Sequence, residues 1–199
     1  MNEKRPFYIT TTISYVNADP HIGFAWELVQ ADVIARYHRL SGEEVFFNTG
    51  TDEHGLKIYR KALEAGKEPQ AYVDEYAAKF GNLKEALRLS SDLHFIRTTD
   101  SEHVRAAQEF WKLCEKKGDI YKGSHEGWYC TPCETFWNEE ELKEGKICST
   151  CARPVERVKE ESYFFKLSKY QANLLEEYSR NTEFLSPKHR ANEILSLVK

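Results

Sequence analysis

The pattern that most restricts the fold is a strand, a helix and a second strand within the first 50 residues. Residues 6–16 are rich in Ile, Thr, Tyr and Val and stop at a turn, which predicts a buried strand, and residues 44–48 predict another. Apolar residues spaced three or four apart lie between them and predict one helical face. They are Ile22, Trp26, Val29, Val33, Tyr37 and Leu40. This order suits a parallel βαβ unit, and so an α/β fold.

The local composition of the sequence changes at Gly118. Helical patterns precede it, including one that opens at Pro69, a residue suited to a first helical turn. From Gly118 onward the chain is rich in glycine, cysteine and short strand-like runs. We therefore predict a boundary between residues 117 and 118, followed by a small metal-bearing subdomain. The last helical pattern reaches Lys199 without a stop signal, so we expect the chain to be cut inside an element.

Composition and charge exclude several classes of protein. The 199 residues are 41% hydrophobic, and 28 Lys and Arg against 32 Asp and Glu give a net charge of −4. This profile excludes disordered and collagen-like chains, and it argues against a protein that coats nucleic acid without specificity. No apolar run approaches the roughly 18–20 residues of a membrane helix, and no secretory signal precedes the first strand. We expect a cytoplasmic protein without membrane contact, and no expectation about oligomeric state follows.

Four of the five cysteines form two Cys-x-x-Cys pairs. They are Cys130, Cys133, Cys148 and Cys151, and 148 − 133 = 15 positions separate the pairs. In a reduced compartment this spacing is typical of metal ligands, and four thiolates complete a closed tetrahedral site for a structural zinc ion. A redox function is the alternative, although neither pair opens a predicted helix as a thioredoxin-type motif does. The fifth, Cys114, falls on the apolar face of a helix, where we expect a buried side chain.

The turn at residues 17–24 joins the first strand to the first helix and contains His21 and Gly23. A ligand there would meet the N-terminal end of a long helix, whose backbone N–H groups and dipole favour a phosphate. The glycine permits close approach of the backbone, and His21 could donate a hydrogen bond to a phosphate oxygen. A histidine that merely caps the helix is an equally good interpretation of this motif alone.

The loop at residues 50–55 follows the second strand and holds Asp52, Glu53 and His54 between two glycines. In open α/β sheets ligands bind outside the carboxyl ends of the strands, where this loop and the His21 turn would both lie. Asp52 could pair with an ammonium group, and His54 could orient it or contact a ligand hydroxyl. The alternative is that Asp52 caps the helix that starts at Leu56, with Glu53 and His54 solvated.

Together these motifs give a sequence that resembles the methionyl-tRNA synthetases, a family of class I aminoacyl-tRNA synthetases. The similarity runs from Phe7 to Lys199. Its landmarks are Phe7-Tyr8-Ile9-Thr10-Thr11, residues 15–23, Ala31-Asp32-Val33, residues 49–55, Phe95-Ile96-Arg97-Thr98-Thr99, Gly118-Asp119-Ile120-Tyr121 and Tyr163-Phe164-Phe165. Sibling synthetases share the His21 motif, but the loop Thr-Asp-Glu-His-Gly beside a four-cysteine knuckle is typical of the methionine family.

The resemblance implies an architecture, a reaction and its partners. Residues 1–117 would form the first half of a Rossmann-type catalytic domain with a parallel sheet, and residues 118–199 a connective insertion with a zinc knuckle at 130–151. The reaction would be the ATP-dependent activation of methionine to methionyl-adenylate, followed by transfer to tRNA(Met) in translation. The partners would be ATP with Mg²⁺, L-methionine and tRNA(Met), and the cofactor a structural Zn²⁺.

The resemblance also implies roles for individual residues. The residues implied for catalysis are His21, Gly23 and Asp52. Those implied for ATP binding are Asn17, His21, Gly23 and Phe24. Those implied for methionine binding are Ile13, Tyr15, Asp52 and His54. The four paired cysteines would hold the zinc ion.

The sequence departs from the family at two positions and by an absence. Phe24 stands where the family usually has a second histidine, and Thr12 where it often has proline. Because a phenylalanine ring cannot donate to a phosphate, either ATP is held differently or activity is lower. The family's second Rossmann half, its Lys-Met-Ser-Lys-Ser loop and its anticodon-binding domain do not occur, so we expect this chain alone to be inactive. The alternatives are a zinc-bearing tRNA- or RNA-binding module that has lost catalysis, and another nucleotidylyl transferase.

Overall fold

The computed structural model describes residues 6–199, which divide into one unit up to Gln108 and a second built mainly from residues 109–199. Residues 1–5, on which the expectation of no secretory signal depends in part, lie outside the described residues. The elements of the first unit are β1 (Phe7–Thr10), β2 (Ser14–Tyr15), α1 (Ile22–Leu40), β3 (Val45–Asp52), α2 (Leu56–Glu64), α3 (Pro69–Gly81), α4 (Leu83–Ala86) and β4 (His94–Arg97).

Strand β3 lies at the centre of a parallel sheet. It pairs in parallel with β1, β2 and β4, with Tyr15 opposite Asp52 and Arg97 opposite Thr51. The predicted α/β fold is therefore confirmed, and the strand predicted for residues 6–16 is present but interrupted between β1 and β2. Because all these strands are parallel, the carboxyl ends of β2, β3 and β4 meet at one edge of the sheet.

Gly50 allows β3 and β4 to approach closely. A Cβ atom at this position would lie 2.1 Å from the carbonyl oxygen of Ile96 on β4, far inside van der Waals contact. A backbone oxygen cannot move away without displacing its strand. Glycine is therefore required here, and it sets the spacing between the ends of β3 and β4.

Helix α1 covers the sheet with a face that the sequence did not indicate. Its buried apolar residues are Phe24, Leu28, Ala31 and Ala35, which join Phe47 of β3 and the aromatic residues of α3 in one core. The helix is present as predicted, but the predicted apolar face is exposed, from 38% at Val29 to 89% at Leu40. The two small alanines explain the choice, since they permit the helix axis to approach β3 closely.

The second unit begins within α5 (Ser101–Lys116) and contains the strands and α-helices that follow it. They are β5 (Ile120–Cys130), β6 (Thr135–Trp137), β7 (Glu156–Phe165), α6 (Gln171–Arg180) and α7 (Lys188–Val198). Strand β5 is the centre of an antiparallel sheet and pairs with both β6 and β7. The two units meet in sequence within α5, whereas the predicted boundary lies at its end. Cys114 of α5 is half-buried rather than buried, and within this fully described helix no residue is buried.

Asp119 fastens the start of β5 to the short 3₁₀ turn Leu167–Tyr170. Its carboxylate is buried, accepts a hydrogen bond of 2.5 Å from the Lys169 ammonium, and accepts another from the Tyr170 hydroxyl. These donors hold the pKa of Asp119 below its ordinary value.

Among residues 6–199, no helix combines the length and the apolar character needed to cross a membrane.

Candidate functional site

His21 occupies the N-cap position of α1. Its Nδ1 accepts a hydrogen bond of 3.1 Å from the Gly23 N–H, so a neutral ring carries its proton on Nε2. A Cβ atom at position 23 would lie 3.1 Å from the His21 ring, and glycine therefore leaves room for it. The ring is exposed, and its Nε2 has no partner among the described residues. His21 thus caps the helix with one nitrogen and presents the other as a donor to solvent.

Phe24, which the resemblance implied as an ATP contact, turns away from this surface. Its side chain is 6% exposed and packs edge-on against Phe80 of α3, with ring centroids 5.2 Å apart. Its backbone N–H donates to the His21 carbonyl at 3.1 Å. The Phe24 side chain therefore belongs to the core that supports the His21 turn, and its contact with ATP stays a prediction. Asn17 is half-buried in the turn itself.

Thr12 and Glu27 form a clamp that sequence reasoning missed. Thr12 lies in the interruption between β1 and β2, where its N–H and its hydroxyl donate to the two Glu27 oxygens at 2.7 and 2.6 Å. Proline, common in the family at this position, has neither donor. The clamp fastens the segment that leads to Ile13 and Tyr15, both half-buried, onto α1. No periodic signal links two residues 15 positions apart in a break and a helix.

Asp52 ends β3 beside Tyr15 of β2. Its backbone carbonyl accepts the Val16 N–H at 3.3 Å, but its half-buried carboxylate makes no hydrogen bond or ion pair within residues 6–199. The helix-capping alternative is wrong, because the N-cap of α2 is Gly55 and no side chain caps it. An acceptor left open at the carboxyl edge of a parallel sheet suits a cationic ligand group.

Glu53 is not solvated, as the alternative interpretation supposed, but buried. Arg97 donates to both of its oxygens at 2.7 and 2.8 Å, and the Thr51 and Thr99 hydroxyls add bonds of 2.6 and 2.5 Å. Burial alone would raise the pKa of Glu53, but these four bonds outweigh it and hold the pKa below its ordinary value. Glu53 is therefore ionised at neutral pH, and its carboxylate, together with that of Asp74, raises the pKa of Arg97.

His54 lies on the surface at the end of this loop. Its Nε2 lies 3.2 Å from the Thr98 carbonyl, so Nε2 donates the bond and Nδ1 is left as an acceptor. Lys57 of α2 lies over the Tyr15 ring, with Nζ 5.7 Å from its centroid. Tyr15 and Asp52 end neighbouring parallel strands, and His54 follows Asp52. The turn with His21 and Gly23 leaves β2 at the same end, so these five predicted residues lie at one edge of the sheet.

The four paired cysteines converge as their spacing predicted. Their sulfur atoms all lie within 4.8 Å of one another, with Cys130 and Cys151 at 3.4 Å, and Cys130 and Cys148 are fully buried. Four ligands at about 2.3 Å from a zinc ion would place the sulfurs about 3.8 Å apart, so the cluster could hold a metal of that size. A hydrogen bond from the Cys151 backbone N–H is the main cause that lowers the pKa of Cys148 to about 6, which favours the thiolate.

Comparison with known proteins shows the family to which the chain belongs. The model of the family described as tRNA synthetases class I (M) matches residues 7–199. The chain belongs to this family. It is 52% identical over 196 residues to a methionine–tRNA ligase of Thermotoga maritima, a match that covers 97% of this chain and 31% of the relative. It is 50% identical over 196 residues to that of Clostridium acetobutylicum, covering 98% and 30%.

A solved synthetase structure has the same fold. The chain matches Mycobacterium tuberculosis methionyl-tRNA synthetase in complex with methionyl-adenylate, with a TM-score of 0.91 and 42% identity, over 98% of this chain and 38% of that one. The family resemblance drawn from the motifs is thus confirmed, and the RNA-binding alternative is not favoured. The chain spans about a third of the length of the curated relatives it matches.

Proposed function

We propose that the protein containing this chain activates methionine with ATP and transfers it to tRNA(Met). The observation that carries the proposal is the open Asp52 carboxylate beside Tyr15, at the sheet edge that also presents His21, in a chain of this family. The relative from Mycobacterium tuberculosis is described in complex with methionyl-adenylate, the intermediate of this reaction. Translation takes place in the cytoplasm, and we propose that location.

Asp52 would bind the ammonium group of methionine. A carboxylate that is half-buried and has no protein partner gains a charge-assisted hydrogen bond when an ammonium group arrives, and partial exclusion of water strengthens that bond. Ile13 and Tyr15, which precede the His21 turn on the neighbouring strand, would line the pocket for the methionine side chain. His54 would contribute its Nδ1 acceptor at the same edge.

His21 and the N-terminus of α1 would hold ATP, which binds as its Mg²⁺ complex. A carboxylate oxygen of methionine attacks the α-phosphorus, the bond to the bridging oxygen breaks, and pyrophosphate leaves with the electron pair. Nε2 of His21 would donate to a phosphate oxygen, and the helix dipole favours the negative charge. Gly23 leaves room for the ring in this orientation. Asn17, in the same turn, would make a further contact with ATP.

In the second step the terminal ribose hydroxyl of tRNA attacks the carbonyl carbon of methionyl-adenylate, and AMP leaves. The four cysteines would hold a structural Zn²⁺ with no open coordination position, so the metal would stabilise the knuckle and take no part in the reaction. The chemistry of four thiolates, two of them fully buried, fits this role.

Methionine-dependent exchange of pyrophosphate into ATP tests this proposal. The complete protein to which this sequence belongs should catalyse exchange only when methionine is added, and Asp52→Asn should raise the KM for methionine far more than the KM for ATP. Exchange driven equally by another amino acid would contradict the proposed specificity. Lys61→Ala is a matched control on the same unit, since Lys61 is exposed and pairs with the exposed Glu64 of the same helix.

A further inference from the structure

Glu53 lies in the sequence between Asp52 and His54, two residues of the proposed methionine site, but its side chain is buried against Arg97. Its carboxylate has no exposed surface and receives four hydrogen bonds of 2.5 to 2.8 Å. Its backbone N–H also donates to the Thr98 hydroxyl at 2.8 Å. Residue 53 is therefore tied through both its side chain and its backbone to the last residue of β4 and to the two threonines that follow it.

The geometry of this cluster is fixed. Nε and Nη2 of Arg97 meet the two Glu53 oxygens in a bidentate pair, which sets the orientation of both planar groups. Removal of a buried carboxylate from water is costly, and the structure repays it only in an arrangement that satisfies its oxygens. A second carboxylate, Asp74 of α3, contacts Arg97 at 2.6 Å from the exposed side of the cluster.

Asp52 has no comparable support of its own. Its carboxylate has no partner among the described residues, so its direction depends on the backbone on either side. On one side the parallel register with Tyr15 and the 3.3 Å bond to the Val16 N–H hold the strand. On the other side the chain passes directly into Glu53. Successive side chains of an extended chain point to opposite faces, so anchoring Glu53 inward directs Asp52 outward.

We propose that Glu53, held by Arg97, is a positioning residue that directs the Asp52 carboxylate toward the ammonium group of methionine. The role rests on the proposed function, because it needs a cationic ligand at Asp52. Glu53 itself touches no substrate. Displacement of a binding group by about 1 Å can reduce activity by about a hundredfold, so a buried anchor one residue away has a large effect on binding.

The test compares Glu53→Gln with Asp74→Asn in the complete protein. Glutamine keeps the size of the side chain but replaces one acceptor with a donor that faces Arg97, so the bidentate pair is lost. We expect the KM for methionine to rise by about tenfold or more and the KM for ATP to stay within about twofold. Asp74→Asn removes the exposed partner of the same arginine and should leave both constants within about twofold.

A double variant separates positioning from a general structural effect. If Glu53 acts only through Asp52, then Glu53→Gln in an Asp52→Asn protein should raise the KM for methionine by no more than about twofold further. Thr99→Val, which removes one of the four bonds without burying a new charge, should shift the same constant in the same direction by a smaller factor. It decides the matter if Glu53→Gln does not fold.

The outcomes distinguish the two proposals. Wild-type protein without methionine-dependent exchange would overturn the proposed function. Wild-type exchange together with a Glu53→Gln or Thr99→Val protein whose KM for methionine is unchanged would overturn only the positioning role. A full and independent effect of Glu53→Gln in the Asp52→Asn background would overturn it as well, because the residue would then act by another route.

Discussion

Gly50→Ala should disrupt the junction of β3 and β4. The new Cβ would lie 2.1 Å from the Ile96 carbonyl oxygen, whereas ordinary contact needs 3.4 Å or more, so the two strands must move apart by more than an ångström. Four residue pairs join these strands. A backbone hydrogen bond contributes about 1 kcal/mol net, and loss of several bonds together with overpacking should reduce the free energy of unfolding by about 3 kcal/mol or more.

Urea denaturation followed by circular dichroism measures this change, and Gly81→Ala is the matched control. Gly81 closes α3, and a Cβ atom there would meet nothing within 4 Å. That substitution should be neutral or should stabilise the chain by up to about 1 kcal/mol, because alanine has the higher helix propensity. A Gly50→Ala protein whose denaturation midpoint equals that of the wild type would refute the close approach of the strands.

Three further predictions concern the knuckle, the clamp and pH. Cys130→Ser should abolish stoichiometric zinc in metal analysis while Cys114→Ser keeps about one zinc per chain; zinc retained by Cys130→Ser would reject the four-thiolate site. Thr12→Val, which removes one donor to Glu27, should lower the thermal midpoint by only a few degrees, whereas Thr12→Pro removes both and should lower it more. The pKa of Glu53 in the folded protein lies below its ordinary value of 4.5. The free energy of unfolding lost in Glu53→Gln should therefore be largest at neutral pH and shrink as the pH falls through the pKa of the folded state. A constant difference in urea midpoints from pH 7 to 3 would contradict this.

Local sequence patterns predicted the features that depend on neighbouring residues. The strand, turn and helix around His21 follow from residue types and spacing within 35 residues, and so does the loop with Asp52. The cysteine cluster was predictable because two short spacings determine how each pair of thiolates turns toward one ion. These features need no knowledge of distant parts of the chain.

Features that depend on distant residues could not be predicted. Helix α1 has apolar residues on two faces, and the pattern of large side chains pointed to the exposed one. Only the sheet reveals that Ala31 and Ala35 belong inside, since close packing selects small residues. Two of the partners of Glu53, Arg97 and Thr99, lie at the end of β4 and just after it, more than 40 positions away, and no periodicity links them to Glu53. No periodicity links Glu27 of α1 to Thr12 either, because Thr12 lies in the break between β1 and β2.

The most direct test of the central claim is the amino-acid dependence of ATP–pyrophosphate exchange in the complete protein. Wild-type protein should exchange pyrophosphate into ATP when methionine is present and not when another amino acid replaces it. Asp52→Asn should weaken methionine binding while the KM for ATP changes little. Exchange that proceeds without methionine, or an Asp52→Asn protein with an unchanged KM for methionine, would contradict the assignment of this sheet edge as a methionine-activating site.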